Sequence, residues 1–166
     1  MLLKYIYTVF LGLLIATFVG LGIDTFYPGP QYPDYPVELQ RSQPVVKDTG
    51  EVIEEPETIQ KQQEYDAQMK AFEETRQVYE RNVSVIAISL AVLILAISLI
   101  FAKQLDLLAD GVLLGGIFSL AYGIIRGFGA QDPRFRFIVV TVGLIVASAL
   151  GYLRFVHPEK KQQVQS

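Results

Sequence analysis

The sequence predicts an all-α membrane protein with four transmembrane helices, the second extended by a long juxtamembrane helix. Three observations carry this. Half of the 166 residues are hydrophobic, yet they gather in four blocks, residues 5–23, 83–102, 107–125 and 137–153. Each block holds about 17–20 residues, enough to cross roughly 30 Å of hydrocarbon as a helix. Asp110, four residues into the third block, is the only charged residue within any of them, whereas a helix in a soluble core is interrupted by polar positions.

Residues 1–23 form the first transmembrane helix. Lys4 followed by a long apolar run also fits a cleaved signal peptide. The run is longer than a signal core, and its exit, Gly20-Leu21-Gly22-Ile23-Asp24, lacks a small-x-small cleavage site, so an uncleaved anchor is expected.

Residues 24–55 divide into a Tyr/Pro-rich strap and a flexible acidic linker. Tyr27-Pro28, Tyr32-Pro33 and Tyr35-Pro36 recur within ten residues. Proline fixes φ and pushes its predecessor into extended geometry, so the strap should resemble polyproline. Gln40 to Glu55 shows no sustained period and is expected to be flexible, with a turn at Asp48-Thr49-Gly50.

Residues 56–102 contain no glycine, and no proline after Pro56, which with Glu57 suits a helix start. One continuous helix follows, about 70 Å long at 1.5 Å per residue, with roughly half outside the membrane. Its outer half carries a seam in steps of four and three: Tyr65, Met69, Phe72, Arg76 and Tyr79. The same frame continues through Val83, Ile86, Leu90, Leu93, Ile97 and Ile100. A 3.5-residue period suits a coiled-coil partner. Folding back on the chain's own loop, or lying on headgroups, fits the same pattern.

Residues 103–126 make the third transmembrane helix, 127–136 a loop, 137–153 the fourth helix and 154–166 a polar tail. The short connections favour sequential antiparallel packing of helices two to four. Lys4, Lys103, Arg154, Lys160 and Lys161 lie on the side of the chain ends; Lys70, Arg76, Arg81, Arg126, Arg134 and Arg136 lie opposite. These counts nearly balance. Lys4 before the first helix, Asp24 after it and the basic tail favour both ends being cytoplasmic. Residues 24–82 then lie outside, with thirteen acidic and six basic side chains, a net of −7. Charge of this kind keeps a linker and helix face soluble, and it also suits a basic partner.

The chain has no cysteine, which excludes thiolate chemistry and disulfides, and its net charge of −3 gives no nucleic-acid footprint. No constellation marks an enzyme, and no cofactor is expected. Asp110 is the one plausible intramembrane ion site, although Asp106 and Asp110 also suit the first turn of a helix. Arg126, Arg134 and Arg136 suit headgroup contacts or simple anchoring. The lone His157 makes a poor metal site. Asn82-Val83-Ser84 matches a glycosylation sequon too close to the membrane for use. The strap aromatics, Phe26, Tyr27, Tyr32 and Tyr35, suit either a partner's groove or an interfacial belt.

Small residues carry the packing prediction. Gly111, Gly115, Ser119, Gly123 and Gly127 lie four apart in the third helix. Gly12, Ala16 and Gly20 repeat the spacing in the first helix, and Gly143, Ala147 and Gly151 in the fourth. Such positions let backbones approach closely in lipid. Each four-residue step drifts by about 40°, so the five residues span about 160° of the helix. Gly111, Gly115 and Ser119 should meet one neighbour, and Ser119, Gly123 and Gly127 another. The third helix is thereby predicted at the centre of the bundle.

The run Phe18-Val19-Gly20-Leu21-Gly22-Ile23-Asp24-Thr25-Phe26-Tyr27-Pro28-Gly29-Pro30 resembles uncharacterised small four-pass membrane proteins of reduced-genome bacteria. In these, a first helix ends in a Phe-Tyr-Pro-x-Pro element. The likeness covers the first 40 residues and, beyond them, only the hydropathy pattern. It implies a bacterial cytoplasmic membrane and no particular activity. The function expected from the sequence is a non-enzymatic structural, assembly or interaction component. A small transporter or channel subunit using Asp110 is the alternative. The expected partners are the lipid bilayer and, through residues 57–82, a second copy or another membrane protein.

Overall fold

A computed structural model of the protein describes residues 2–37, 39, 45–46, 52–53, 56–101 and 106–156. Four long helices run through it: α1 (Leu2–Phe26), α2 (Pro56–Phe101), α3 (Asp106–Phe128) and α4 (Pro133–Gly151). A π-helical turn, Tyr152–Val156, continues α4. All four helices are long and apolar enough to cross a membrane. This is an integral membrane protein of the all-α class.

Local chemistry sets the ends. α1 runs through Asp24 to Phe26, where Tyr27 N–H still donates to the Ile23 carbonyl before Pro28 stops the helix. α2 is a single helix of 46 residues, with Glu57 and Lys61 paired at 3.1 Å in its first turns. α4 begins at Pro133, before the apolar block at Phe137. Asp132 takes an extended conformation and its Oδ1 accepts from the Arg134 N–H at 2.9 Å, while Pro133 lacks the N–H that a first turn leaves unpaired. Gln131, at φ 54°, makes the left-handed step that reverses the chain between α3 and this cap.

The linker differs from expectation. Two short strands, β1 (Val45–Val46) and β2 (Val52–Ile53), pair antiparallel with Val45 opposite Ile53 and Val46 opposite Val52. All four residues are β-branched and favour extended geometry. The expected turn at Asp48-Thr49-Gly50 lies outside the described residues.

α3 is the shared element, packing against α1, α2 and α4. α1 lies mainly on α3 and touches its sequence neighbour α2 only lightly. The α1 and α3 contacts run parallel: Leu11 lies at Gly111, Ile15 at Gly115 and Gly20 near Tyr122. α2 runs antiparallel to α3, with Leu95 at Gly116, Ile88 at Gly123 and Ser84 at Gly127. Hydrogen bonds fasten both ends of this second interface. Ser84 Oγ donates to the Gly123 carbonyl at 2.7 Å, and Ser98 Oγ to the Ala109 carbonyl at 2.8 Å. Hydroxyl-to-backbone bonds of this kind add to the tight packing that small residues permit in lipid.

Within the chain, the seam's continuation into the membrane packs only at Val83. Ile86, Leu90, Leu93, Ile97 and Ile100 are exposed in the single chain, while Val83, Ser84, Ala87, Ile88, Ala91, Leu95 and Ser98 form the buried face. In water the large apolar face turns inward. In lipid it gains nothing by doing so, and close approach of backbones selects the small face instead.

Candidate functional site

The third-helix ladder splits as its angular drift requires. A methyl group added at Gly111 would sit 2.6 Å from Leu11, and one at Gly115 would sit 2.7 Å from Ile15, both on α1. At Gly123 it would meet Ile88 Cγ1 at 2.8 Å and the Ile88 backbone nitrogen at 3.1 Å, on α2. Gly127 faces Ser84 of α2 at 2.9 Å and Val139 of α4 at 3.1 Å. Ser119 is fully buried between these contacts, and its hydroxyl has no hydrogen-bond partner among the described residues. Gly116, outside the ladder, is as tightly held: its added methyl would lie 2.5 Å from Leu95.

The other two ladders hold only in part. Gly12 packs against Leu114 and the Gly115 backbone, Ala16 is half-buried, and Gly20 makes ordinary contact with Tyr122. In α4, Gly143 meets Ile124, but Ala147 is exposed and nothing lies within 4 Å of a methyl at Gly151. That ladder is corrected to a single packed glycine. α4 packs on α3 at Val139 and Gly143, and a cleft separates the two helices near Leu150, so small residues there have no close neighbour to admit.

At the membrane edge opposite the chain ends lies an ion pair between a buried carboxylate and a half-buried guanidinium. Arg126 Nη1 lies 2.9 Å from Glu80 Oε1, and Glu80 is only 7% exposed. The guanidinium rests over the rings of Tyr79 and Tyr122, 5.5 and 5.8 Å from their centroids. Cation–π contact and the carboxylate together hold a charge where water is scarce. Gly129 makes room for the pair, since a methyl there would lie 2.8 Å from Glu80 Cγ. The other carboxylate oxygen, Oε2, and Arg126 Nε have no hydrogen-bond partner among the described residues. Arg136 lies over Phe128 at 5.9 Å, and the Arg134 side chain is exposed.

Above this pair the strap closes over α2. Tyr27 stacks on Tyr79 with centroids 5.3 Å apart and ring planes 13° apart. Tyr32 meets Phe72 edge-on at 5.2 Å, and Tyr35 meets Tyr65 edge-on at 5.0 Å. The contacts descend the strap as they ascend the helix, so the two segments run antiparallel. Their lengths match. Eight residues of polyproline-like chain span about 25 Å, and fourteen of helix about 21 Å. Asn82 Nδ2 donates to the Tyr27 hydroxyl at 2.9 Å, fixing the base of the clasp. The Leu39 N–H donates to the Pro36 carbonyl at 3.1 Å, turning the chain at the far end.

The seam aromatics Tyr65, Phe72 and Tyr79 therefore carry the chain's own strap. Met69 is half-buried on the same face, and Arg76 is exposed. Hydrogen bonding with Tyr32 raises the Tyr65 phenol above its ordinary range, and shielding from water adds to the shift. A raised phenol favours the clasped state below the ordinary tyrosine pKa of about 10 and loses that preference as pH climbs through the raised value. Replacing Tyr27, Tyr32 and Tyr35 together by serine removes three aromatic pairs worth about 0.5–1.5 kcal/mol each. Amide exchange over residues 60–78 should then rise about tenfold or more, with α3 unchanged. Equal exchange in the variant and the parent would show that the clasp does not brace the helix.

Asp110 does not stand alone. Its Oδ1 is paired with Nη2 of Arg154, from the π-helical turn beyond α4, and its side chain is 48% exposed at the mouth of a cleft. The side chain of Asp106 and all of His157 lie outside the described residues. Among the described residues no three His, Asp or Glu side chains gather to hold a metal ion.

No protein-family model, curated protein or solved structure matches this chain.

Proposed function

We propose that this membrane protein is a non-enzymatic structural or assembly component that presents a braced helical arm to a partner outside the bilayer. The observation that carries the reading is the aromatic clasp. About 39 Å of helix, residues 57–82, extends past the membrane block, and an isolated helix of that length is marginal in water. The strap stiffens it through three aromatic contacts and leaves its other faces open. Gln68, Glu73, Glu74 and Thr75 are among the exposed side chains there. The excess of acidic residues in this region suits a basic partner surface.

The likeness of residues 18–30 to four-pass proteins of reduced-genome bacteria supports a bacterial cytoplasmic membrane. Lys4, Asp24 and the basic tail support cytoplasmic chain ends. An export-dependent reporter fused after Ser166 should be silent; activity would reverse the orientation.

Photo-crosslinking residues placed at Gln68 and Thr75 in native membranes should trap one discrete adduct, and the triple serine strap variant should weaken it. A transporter predicts a different pair of results: no adduct, and a flux abolished by Asp110→Asn. The Asp110–Arg154 ion pair at the helix ends favours a structural role for this carboxylate.

A further inference from the structure

α1 and α4 both pack on α3 but share no extensive interface with each other. On the side of the chain ends this arrangement opens a cleft of about 740 Å³. That volume lies within the range of about 300–1,000 Å³ usual for small-ligand sites. The lining is graded. Lys4, Tyr5 and Thr8 of α1 line one flank, with Asp110 and Arg154 opposite. Leu114, Ile117 and Leu150 line it deeper in. From Asp110 to Ile117 the α3 axis advances about 10 Å, which carries the cleft from the interface into the hydrocarbon.

The charges at the mouth do not cancel. Arg154 is paired with Asp110, while Lys4 makes no ion pair among the described residues. Among the described lining residues, two cations against one carboxylate leave a net positive charge beside two hydroxyls and above an apolar wall. A phosphate diester without a compensating ammonium, joined to an acyl chain, complements this gradient. A choline headgroup would bring its own cation to the same place.

We propose that the α1–α3–α4 cleft binds an anionic glycerophospholipid, its phosphate between Lys4 and Arg154 and one acyl chain along Leu114, Ile117 and Leu150. The site is independent of the arm and its strap. It also gives the Asp110–Arg154 pair a second use: Asp110 holds the guanidinium at the rim of the cleft through one nitrogen, leaving further donors for a phosphate.

Native mass spectrometry of the full chain in detergent, titrated with dioleoyl phosphatidylglycerol or dioleoyl phosphatidylcholine, tests this. Phosphatidylglycerol should be held about fivefold or more tightly than phosphatidylcholine, from about one net basic charge near the headgroup. K4Q should remove most of that preference and leave phosphatidylcholine binding unchanged. It leaves the Asp110–Arg154 pair intact, so the lipid-free unfolding midpoint should not move. I117W, which fills the apolar part, should weaken both lipids, and K70Q, on the outer half of α2, should weaken neither. Equal retention of the two lipids, or an unchanged preference in K4Q, would overturn the site. Displacement of phosphatidylglycerol by millimolar inorganic phosphate would overturn the assignment to a lipid.

Discussion

Replacing Arg126 by leucine should destabilise the protein by about 3–5 kcal/mol, because it strands the Glu80 carboxylate without its cation. Glu80 is 7% exposed, and its Oε2 already lacks a partner. No other basic side chain is paired with it among the described residues. The cost arises from an unpaired buried charge rather than from the worth of the pair itself. A double variant, Arg126→Leu with Glu80→Met, should therefore recover a large part of the loss. Arg126→Lys keeps the charge but gives up the planar contact with Tyr79 and Tyr122, and should fall between. Unfolding titrations with a denaturing detergent in bicelles would read all three. Parental stability of the Arg126→Leu variant would show that the pair is solvated and structurally idle.

Leucine at Gly115 or Gly123 should be comparably damaging, by separate routes. Inserted bulk in a packed interior costs about 1–3 kcal/mol even where the surroundings relax. At Gly123 the nearest obstacles include the Ile88 backbone nitrogen, 3.1 Å from an added methyl, so α2 must move away and Ser84 loses its bond to the Gly123 carbonyl. At Gly115 the obstacle is Ile15, 2.7 Å away, so α1 should detach while α2 and α3 stay paired. A methyl added at Gly22 or Gly151 meets nothing within 4 Å, so Gly22→Leu and Gly151→Leu should be close to neutral. Protease resistance and yield of folded protein in membranes would separate the two groups. Similar behaviour of all four would reduce the ladder to composition.

The bundle was legible from the sequence where lipid physics is simple. Four apolar blocks mark four helices, and the angular drift of the glycines from Gly111 to Gly127 calls for two neighbours of α3, which are α1 and α2. The pattern of large apolar residues does not mark the buried face of α2, which contains Ser84, Ala87, Ala91 and Ser98. Ser84, Ala91 and Ser98, seven residues apart and all buried, were the available signal. Gly116 breaks the four-residue spacing and so stands outside the ladder. The contact of Arg126 with Glu80 joins residues 46 apart, and spacing along one helix carries no trace of it. The clasp was within reach. Tyr65, Phe72 and Tyr79 repeat every seven residues over a length that the Tyr-Pro strap matches, and folding back on the chain's own loop was one of the readings they allowed.

The account rests on the strap bracing the arm within one chain. The absence of native cysteine makes this directly measurable. With cysteines at Tyr32 and Phe72, whose ring centroids lie 5.2 Å apart, a short bifunctional thiol crosslinker in native membranes should give an intramolecular link in a monomer-sized band. Crosslinked dimers as the main product, or no link at all, would contradict the clasp and return the seam to a partner in another chain.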